Sequence, residues 1–163
     1  DARIPVQVSG RAGEVLYLNE VLKPHAGSVG LPTAAAPVDF TFIVILAAKD
    51  RAAAVHWHVD ALGFEEAETY VIPYSVINQS FGLPDDFQTA MTMTKVGDLA
   101  GTEVDQYPEG TTERPIAEGE LPPGNALVSF VVRDLDAVSA PFVAPPVVVD
   151  GPMYDGRRVA CVR

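Results

Sequence analysis

The sequence has little of what disulfides and metal sites require. One cysteine and three histidines occur among its 163 residues. A lone cysteine excludes an internal disulfide and fits a reducing compartment, so we expect a cytoplasmic protein. Cys161 itself lies in the apolar run 159–162, and we expect it to be a small core residue.

Basic residues and long hydrophobic runs are also scarce. Eleven Lys and Arg against 22 Asp and Glu give a net charge of −11, which repels phosphate backbones, so we expect no nucleic-acid partner. The longest mainly apolar run, residues 40–48, is shorter than the ~20 residues of a membrane-spanning helix, so we expect no membrane partner. A hydrophobic fraction of 48% with 20% charged residues still predicts a globular domain with a core.

Composition divides the chain into linkers and structured segments. Pro, Gly, Ala and Ser without periodicity mark linkers, whereas β-branched and aromatic residues mark strands. The strand–helix–strand pattern occurs twice, which indicates an internal duplication. The predicted regions are a two-strand segment (1–22), a linker (23–38), a first half (39–108), a connector (109–125) and a second half (126–163).

The first half has clear helix boundaries. A strand at residues 39–47 precedes a helix that begins after Asp50, a good N-cap, and stops at Gly63. Three more strands, separated by Gly, Pro or Asp, are predicted at residues 68–75, 88–96 and 102–107.

The second half repeats this order. We predict a strand at residues 126–132 and a helix at 134–143, which Pro145 must end. Shorter strands follow at 147–149 and 158–162.

The openings of both halves resemble modules of the vicinal-oxygen-chelate superfamily, which includes glyoxalases, bleomycin-resistance proteins and ring-cleaving dioxygenases. In the first half, a strand, an Asp cap and a short Ala-rich helix precede Leu62-Gly63-Phe64. Similar motifs are SFVVRDLDA from Ser129, TEVDQYP from Thr102 and GRRVACVR from Gly156. The resemblance covers residues 39–163 and rests on the order and spacing of the motifs.

The resemblance implies a specific fold and assembly. We expect an α+β fold in which paired βαβββ units form a curled, half-barrel mixed sheet with helices on the outer face. A homodimer is implied, because such sheets are usually completed or covered by a partner. Residues 1–22 resemble the last two strands of a module, so they are the tail of a preceding module or supply an edge strand to this one or a neighbour. An unrelated hairpin is the alternative.

The family's metal-binding positions hold few ligands in this chain. Members bind a divalent metal through His and Glu side chains from four strands. The corresponding positions fall near Ile43 and Leu127, which cannot ligate, and at Glu103, which can. His56 and His58 lie two positions apart on the predicted helix, so they point about 200° apart and cannot share a metal. We therefore expect no metal and no cofactor.

A ligand cavity is the remaining candidate site. Strand alternation places Glu103, Asp105 and Tyr107 on one face, and the family's pattern turns that face towards a mainly apolar cavity suited to a small organic molecule. A solvated edge is the alternative, since a one-residue slip reverses every side chain. Two predicted loops, residues 78–86 and 150–157, are in position to cover the cavity. The candidate ligand-binding residues are Ile43, Tyr74, Asn78, Glu103, Asp105, Tyr107, Leu127, Ser129 and Tyr154.

Three functions remain open from the sequence. The first is metal-free binding of a small organic ligand, as in the bleomycin-resistance branch, where an acidic groove holds a cationic drug. The second is an enzyme, either dioxygenase-like or a glyoxalase-like lyase or isomerase that uses Glu103 as general base on a carbonyl-containing substrate. The third is a catalytically inert scaffold or dimerisation module.

Overall fold

The structure is a computed structural model that divides the chain into two units. The first unit comprises Asp1–Val44 and Pro108–Ser129, and the second comprises Ile45–Tyr107 and Phe130–Arg163. Helices and separate mixed and antiparallel sheets occur together, which confirms the α+β class. Among the described residues no sheet closes into a barrel. The described residues are 3–21, 34–39, 41 and 43–162.

The first unit contains a β-hairpin. Strand β1 (Arg3–Ser9) pairs antiparallel with β2 (Val15–Val21), which confirms both strands predicted in this segment. The amide of Gly10 donates to the carbonyl of Glu14 at 2.9 Å and closes the turn. Within the described residues the hairpin forms a two-stranded sheet of its own. Its origin as the tail of a preceding module stays a prediction.

A four-stranded sheet contains the predicted first half. Its order is β3-β6-β5-β4, and the pairs β4–β5 and β5–β6 are antiparallel. The amide of Tyr107, just after β6, donates to the carbonyl of Ala48 at the end of β3, so these two strands run in the same direction and the sheet is mixed. The elements are β3 (Val44–Ala48), α1 (Arg51–Leu62), β4 (Glu65–Pro73), α2 (Ser75–Phe81), β5 (Gln88–Val96) and β6 (Leu99–Gln106).

Helix α1 begins and ends where the sequence predicts. The Asp50 carboxylate accepts a hydrogen bond from the Ala53 amide at 3.0 Å. Gly63 ends the helix in the left-handed conformation, with φ of 71°, which favours glycine. Val55 of α1 packs with Val104 of β6 in the core, so the helix covers one face of the sheet.

A hydroxyl ladder, formed by Thr69, Thr92, Thr94 and Thr102, crosses β4, β5 and β6. The Thr69 and Thr92 hydroxyls lie 2.7 Å apart, and Arg51 of α1 donates to Thr92. Thr94 Oγ1 lies 3.0 Å from the Thr102 hydroxyl and accepts from the Thr102 amide at 2.8 Å. These bonds satisfy the ladder's hydroxyls, three of which belong to buried residues.

The second half departs most from the prediction. Residues 126–132 form no strand, and the helix expected at 134–143 is a single 3-10 turn, Leu135–Ala137. None of the turn's residues is buried, and Pro141 follows closely. A short helix without an apolar face to bury gains little stability, and a proline disfavours helical geometry in the residue before it.

Two of its predicted strands are present, the first at its predicted bounds and the second shorter than the predicted 158–162. Strand β7 (Val147–Val149) is confirmed and pairs antiparallel with β8 (Arg157–Val159). A bridge between Phe142 and Val162 extends the pairing. Cys161 beside this bridge is exposed, so the expectation of a core cysteine is wrong.

One helix was not expected. Helix α2 (Ser75–Phe81) begins before the predicted loop at residues 78–86 and overlaps its first part. Among the described residues, neither α1 nor α2 is long and apolar enough to cross a membrane.

Candidate functional site

Two carboxyl groups lie on the sheet face opposite α1. Val104 points towards Val55 of the helix, so alternation turns its neighbours Glu103 and Asp105 to the other face. Strand β6 is an inner strand, between β3 and β5. The solvated-edge alternative is therefore wrong for these two residues.

The carboxyl pair lies in apolar surroundings. Asp105 is only 2% exposed, and Glu103 is half-buried. The strand register places Met91 opposite Asp105 and Met93 opposite Glu103 on β5. Glu103 is therefore the partly exposed member of the pair, and Asp105 lies in the interior.

This environment keeps a proton on the pair. Burial, together with the charge of Glu103 and a hydrogen bond to it, raises the pKa of Asp105 to about 8. Burial also raises the pKa of Glu103, while the hydrogen bond from Asp105 opposes that shift. The charge of one carboxylate disfavours a second beside it. Near neutral pH we assign the proton to Asp105, which donates to a negatively charged Glu103.

Three buried oxygens close to this region have no hydrogen-bond partner in the part of the chain that the structure describes. They are Asp105 Oδ1, Thr89 Oγ1 and Asn78 Oδ1. Thr89 precedes Met91 by two residues on β5, so alternation puts its side chain on the same face as Asp105. Buried polar atoms are nearly always paired with the protein, with ordered water or with a ligand, so these three oxygens mark a place where a bound molecule could accept or donate hydrogen bonds.

Helix α2 brings Asn78 to the same end of the sheet. The Asn78 amide group donates to the carbonyls of Asp85 and Phe87, both at 3.1 Å, just before β5. The ring of Phe81, at the end of α2, packs edge-on against Tyr107 with centroids 5.8 Å apart. Because Tyr107 follows Asp105 by two residues, α2 lies beside the inner end of the carboxyl pair.

The predicted ligand-binding residues fall into two groups. Those in the second unit are Tyr74 before α2, Asn78 on α2, Glu103 and Asp105 on β6, Tyr107 after β6 and Tyr154 in the β7–β8 turn. Those in the first unit are Ile43, just before β3, and Leu127 and Ser129, which are exposed and belong to no strand. The structure thus places Glu103 and Asp105 on one face of β6, and α2, which carries Asn78, contacts Tyr107 just beyond that strand.

Sequence reasoning missed Thr89. A signal for it existed, because the two residues Gly97 and Asp98 between β5 and β6 are a hairpin turn that sets which residues face each other. The bulge beyond Met93 shifts that register by one residue, which the sequence alone does not show.

The histidines lie in different environments. Exposed His56 contacts Asp60 at 2.9 Å on the surface of α1. His58 is buried, with Nδ1 2.8 Å from the Ala54 carbonyl oxygen and its ring beside Phe64. Among the residues that the structure describes, no three His, Cys, Asp or Glu side chains form a group able to hold a metal ion.

A shallow groove of about 620 Å³ lies in the first unit. Ala12 in the β1–β2 turn lines it with Ile116 and Leu121 of the connector, and no predicted ligand-binding residue contributes. Comparison with known proteins adds no further candidate, because no family model, curated protein or solved structure matches this chain.

Proposed function

We propose that this protein binds a small organic ligand without a metal, as in the bleomycin-resistance branch of the vicinal-oxygen-chelate superfamily. The ligand contacts the sheet face that carries Glu103 and Asp105. The observation that supports this most strongly is the carboxyl pair on this face, in which Oδ1 of buried Asp105 has no partner among the described residues.

The chemistry of the pair favours a positively charged or hydrogen-bond-donating ligand. The two carboxyl groups lie beside the apolar side chains of Met91 and Met93, which suit a hydrocarbon body. The net charge of −11 also attracts cations from solution.

A thermal-shift panel tests this function. The panel contains organic cations, thioesters and catechols, each with and without divalent metals and a chelator. We expect organic cations to raise the melting temperature whether or not chelator is present, since a ligand at 100 times its Kd stabilises a fold by about 2.7 kcal/mol. Stabilisation that requires a divalent metal contradicts the proposal.

Variants assign the effect to the pair. Glu103→Gln should remove most of the ligand-induced shift, because it removes the negative charge while keeping the side chain's shape. Glu118→Gln, an exposed acid in the connector, is the matched control and should bind as the unmodified protein does. Equal loss in both variants would show that only net charge matters.

A second candidate is a lyase or isomerase with Glu103 as general base. The observation that favours it is the pair's retained proton: Glu103 accepts a proton from carbon beside a carbonyl, while protonated Asp105 donates a hydrogen bond to the developing enolate oxygen. Exchange of substrate C–H for deuterium from solvent, followed by NMR, tests this. Exchange that survives in Glu103→Gln excludes it.

The paired βαβββ arrangement and the homodimer belong to the same proposal. The apolar side chains of residues 127–132 are exposed, Val131 at 91%, and their sequence is strand-like. In the proposed dimer these residues pair with a second copy and complete the second half of the module. Light scattering after size-exclusion chromatography should give twice the chain mass, and Val131→Asp should give the monomer. A dimer that responds to no ligand in the panel favours the scaffold alternative.

The lone cysteine supports a cytoplasmic location.

A further inference from the structure

Three buried oxygens at one end of the sheet lack hydrogen bonds, and their chemistry specifies a partner. Asp105, Thr89 and Asn78 are 2%, 1% and 0% exposed, and each has an oxygen without a partner among the described residues. A buried polar atom without a hydrogen bond destabilises a fold unless a further molecule supplies the bond.

The strand register places Asp105 and Thr89 on one face of neighbouring strands, and hydrogen bonds tie Asn78 to the residues just before β5. Asp105 faces Met91, and Thr89 is the next residue of β5 on that face, diagonal to Asp105. Asn78 is held at the start of the same strand through its bond to the Phe87 carbonyl. Phe81 contacts Tyr107 and keeps α2 at this end of β6.

The missing bonds call for donors. The Asn78 nitrogen already donates to two carbonyls, so its Oδ1 can only accept. Asp105 donates to Glu103, which leaves Oδ1 as an acceptor. The Thr89 hydroxyl has lone pairs free to accept. A primary ammonium group offers three donors and no acceptor, whereas a quaternary ammonium offers none.

We propose that the ligand is a primary amine with an apolar body, and that Asp105, Thr89 and Asn78 accept the three hydrogens of its ammonium group while Glu103 balances its charge. This inference rests on the proposed function and narrows its ligand class. Buried Met91, which lies opposite Asp105, favours an organic cation over a hydrated metal ion.

Calorimetric titration of the full chain with three matched probes tests the inference. The probes are 2-phenylethylamine, its N,N,N-trimethyl derivative, and 2-phenylethanol. We expect the primary amine to bind at least about tenfold more tightly than the quaternary ion or the alcohol, because one hydrogen bond to a charged group changes an affinity by about that factor or more.

Thr89→Val is the decisive variant. It keeps the side chain's shape and removes a hydroxyl for which the described part of the chain provides no partner, so the fold should be retained, which urea denaturation checks. Binding of 2-phenylethylamine should weaken by about tenfold, and Thr89→Ser should restore it. Thr112→Val, at an exposed position in the connector, is the control and should change nothing.

Each contrary result has a distinct meaning. Equal affinity for the primary and quaternary ions, with both lost in Glu103→Gln, overturns the ammonium inference and leaves the proposed function standing. No binding of 2-phenylethylamine at millimolar concentration overturns it too, and silence of the wider panel then removes the proposed function as well. Stabilisation by K⁺ or Ca²⁺ alone, abolished in Thr89→Val, assigns the three oxygens to a metal ion instead.

Discussion

The two predicted halves of the chain begin alike and fold differently. Asp50 and Asp134 each accept a backbone hydrogen bond at the start of a turn. The first continues into a helix of 12 residues that buries Val55, whereas the second stops after three residues with none buried. A capping residue can start a helix, but length and burial of an apolar face decide whether it continues.

The largest expected difference between the two halves is in how pH changes the free energy of unfolding, because one half has a buried carboxyl group and the other has an exposed one. The pKa of Asp105 is raised from 3.8 to about 8, so the folded state binds the proton more tightly than the unfolded chain. The free energy of unfolding should therefore fall as pH rises from about 4 to about 8. Asp105→Asn should remove this fall and raise the free energy of unfolding at pH 8 by ~2–4 kcal/mol. Urea denaturation between pH 4 and 9 measures it.

Asp136 in the second half should behave in the opposite sense. Its hydrogen bonds to Arg158, at 3.0 and 2.8 Å, lower its pKa, so it contributes stability above its unfolded pKa and loses it as pH falls. Asp136→Asn should therefore lower the free energy of unfolding slightly at every pH well above the ordinary aspartate pKa of 3.8 and leave it nearly unchanged at lower pH. A loss of stability at pH 8 in Asp105→Asn would contradict the buried-acid assignment.

Shortening an apolar side chain should have the next largest effect, and it should lower the free energy of unfolding far more in the first half than in the second. Val104 is 0% exposed and packs on Val55, so Val104→Ala should lower the free energy of unfolding by about 2 kcal/mol. Val131→Ala, at an exposed position of the second half, should change it by less than about 0.5 kcal/mol in the monomer. Similar losses in urea denaturation would show that residues 127–132 are buried in solution.

The two N-cap residues, Asp50 and Asp134, should differ less in how much each stabilises the fold. Asp50→Ala should cost about 1 kcal/mol and reduce the circular dichroism at 222 nm, because it leaves helix α1 without its N-cap. Asp134→Ala should cost less than half of that, since the turn it caps has no buried residues. Equal costs would mean that the second turn is part of a larger packed element.

The smallest expected effect distinguishes the two causes of the failed helix. Pro141→Ala removes the proline but adds no buried face, so the signal at 222 nm should stay constant and the free energy of unfolding should change by less than about 0.5 kcal/mol. An increase in helical signal would identify the proline alone as the cause.

The sequence predicted features that depend on neighbouring residues, but it did not predict which distant elements pack or pair with each other. The cap at Asp50 and the stop at Gly63 depend on neighbouring residues, and both are confirmed. Helix α2 has seven residues and no side-chain hydrogen bond at its N-cap, Tyr74, so it has no local start signal. Residues 126–132 have strand composition, but a strand requires a neighbour, which composition does not provide.

The candidate site divides in the same way. Alternation predicted that Glu103 and Asp105 share a face. The partnerless oxygen of Thr89 became apparent only through the register of β5 on β6 and through the position of Asn78 on an unexpected helix. The sequence gives the chemical character of the site's side chains, whereas their positions relative to one another depend on contacts between elements that are distant along the chain.

The hydroxyl ladder has a consequence for how β4, β5 and β6 find their alignment. Hydrocarbon side chains on adjacent strands tolerate a slide by two positions, since the same face stays inward and contacts are not directional. A slide of β5 along β6 would separate the Thr94 and Thr102 hydroxyls and leave the buried Thr94 hydroxyl without this partner. Directional bonds therefore penalise every misaligned pairing of these strands and leave one alignment in which all of the ladder's hydroxyls are satisfied.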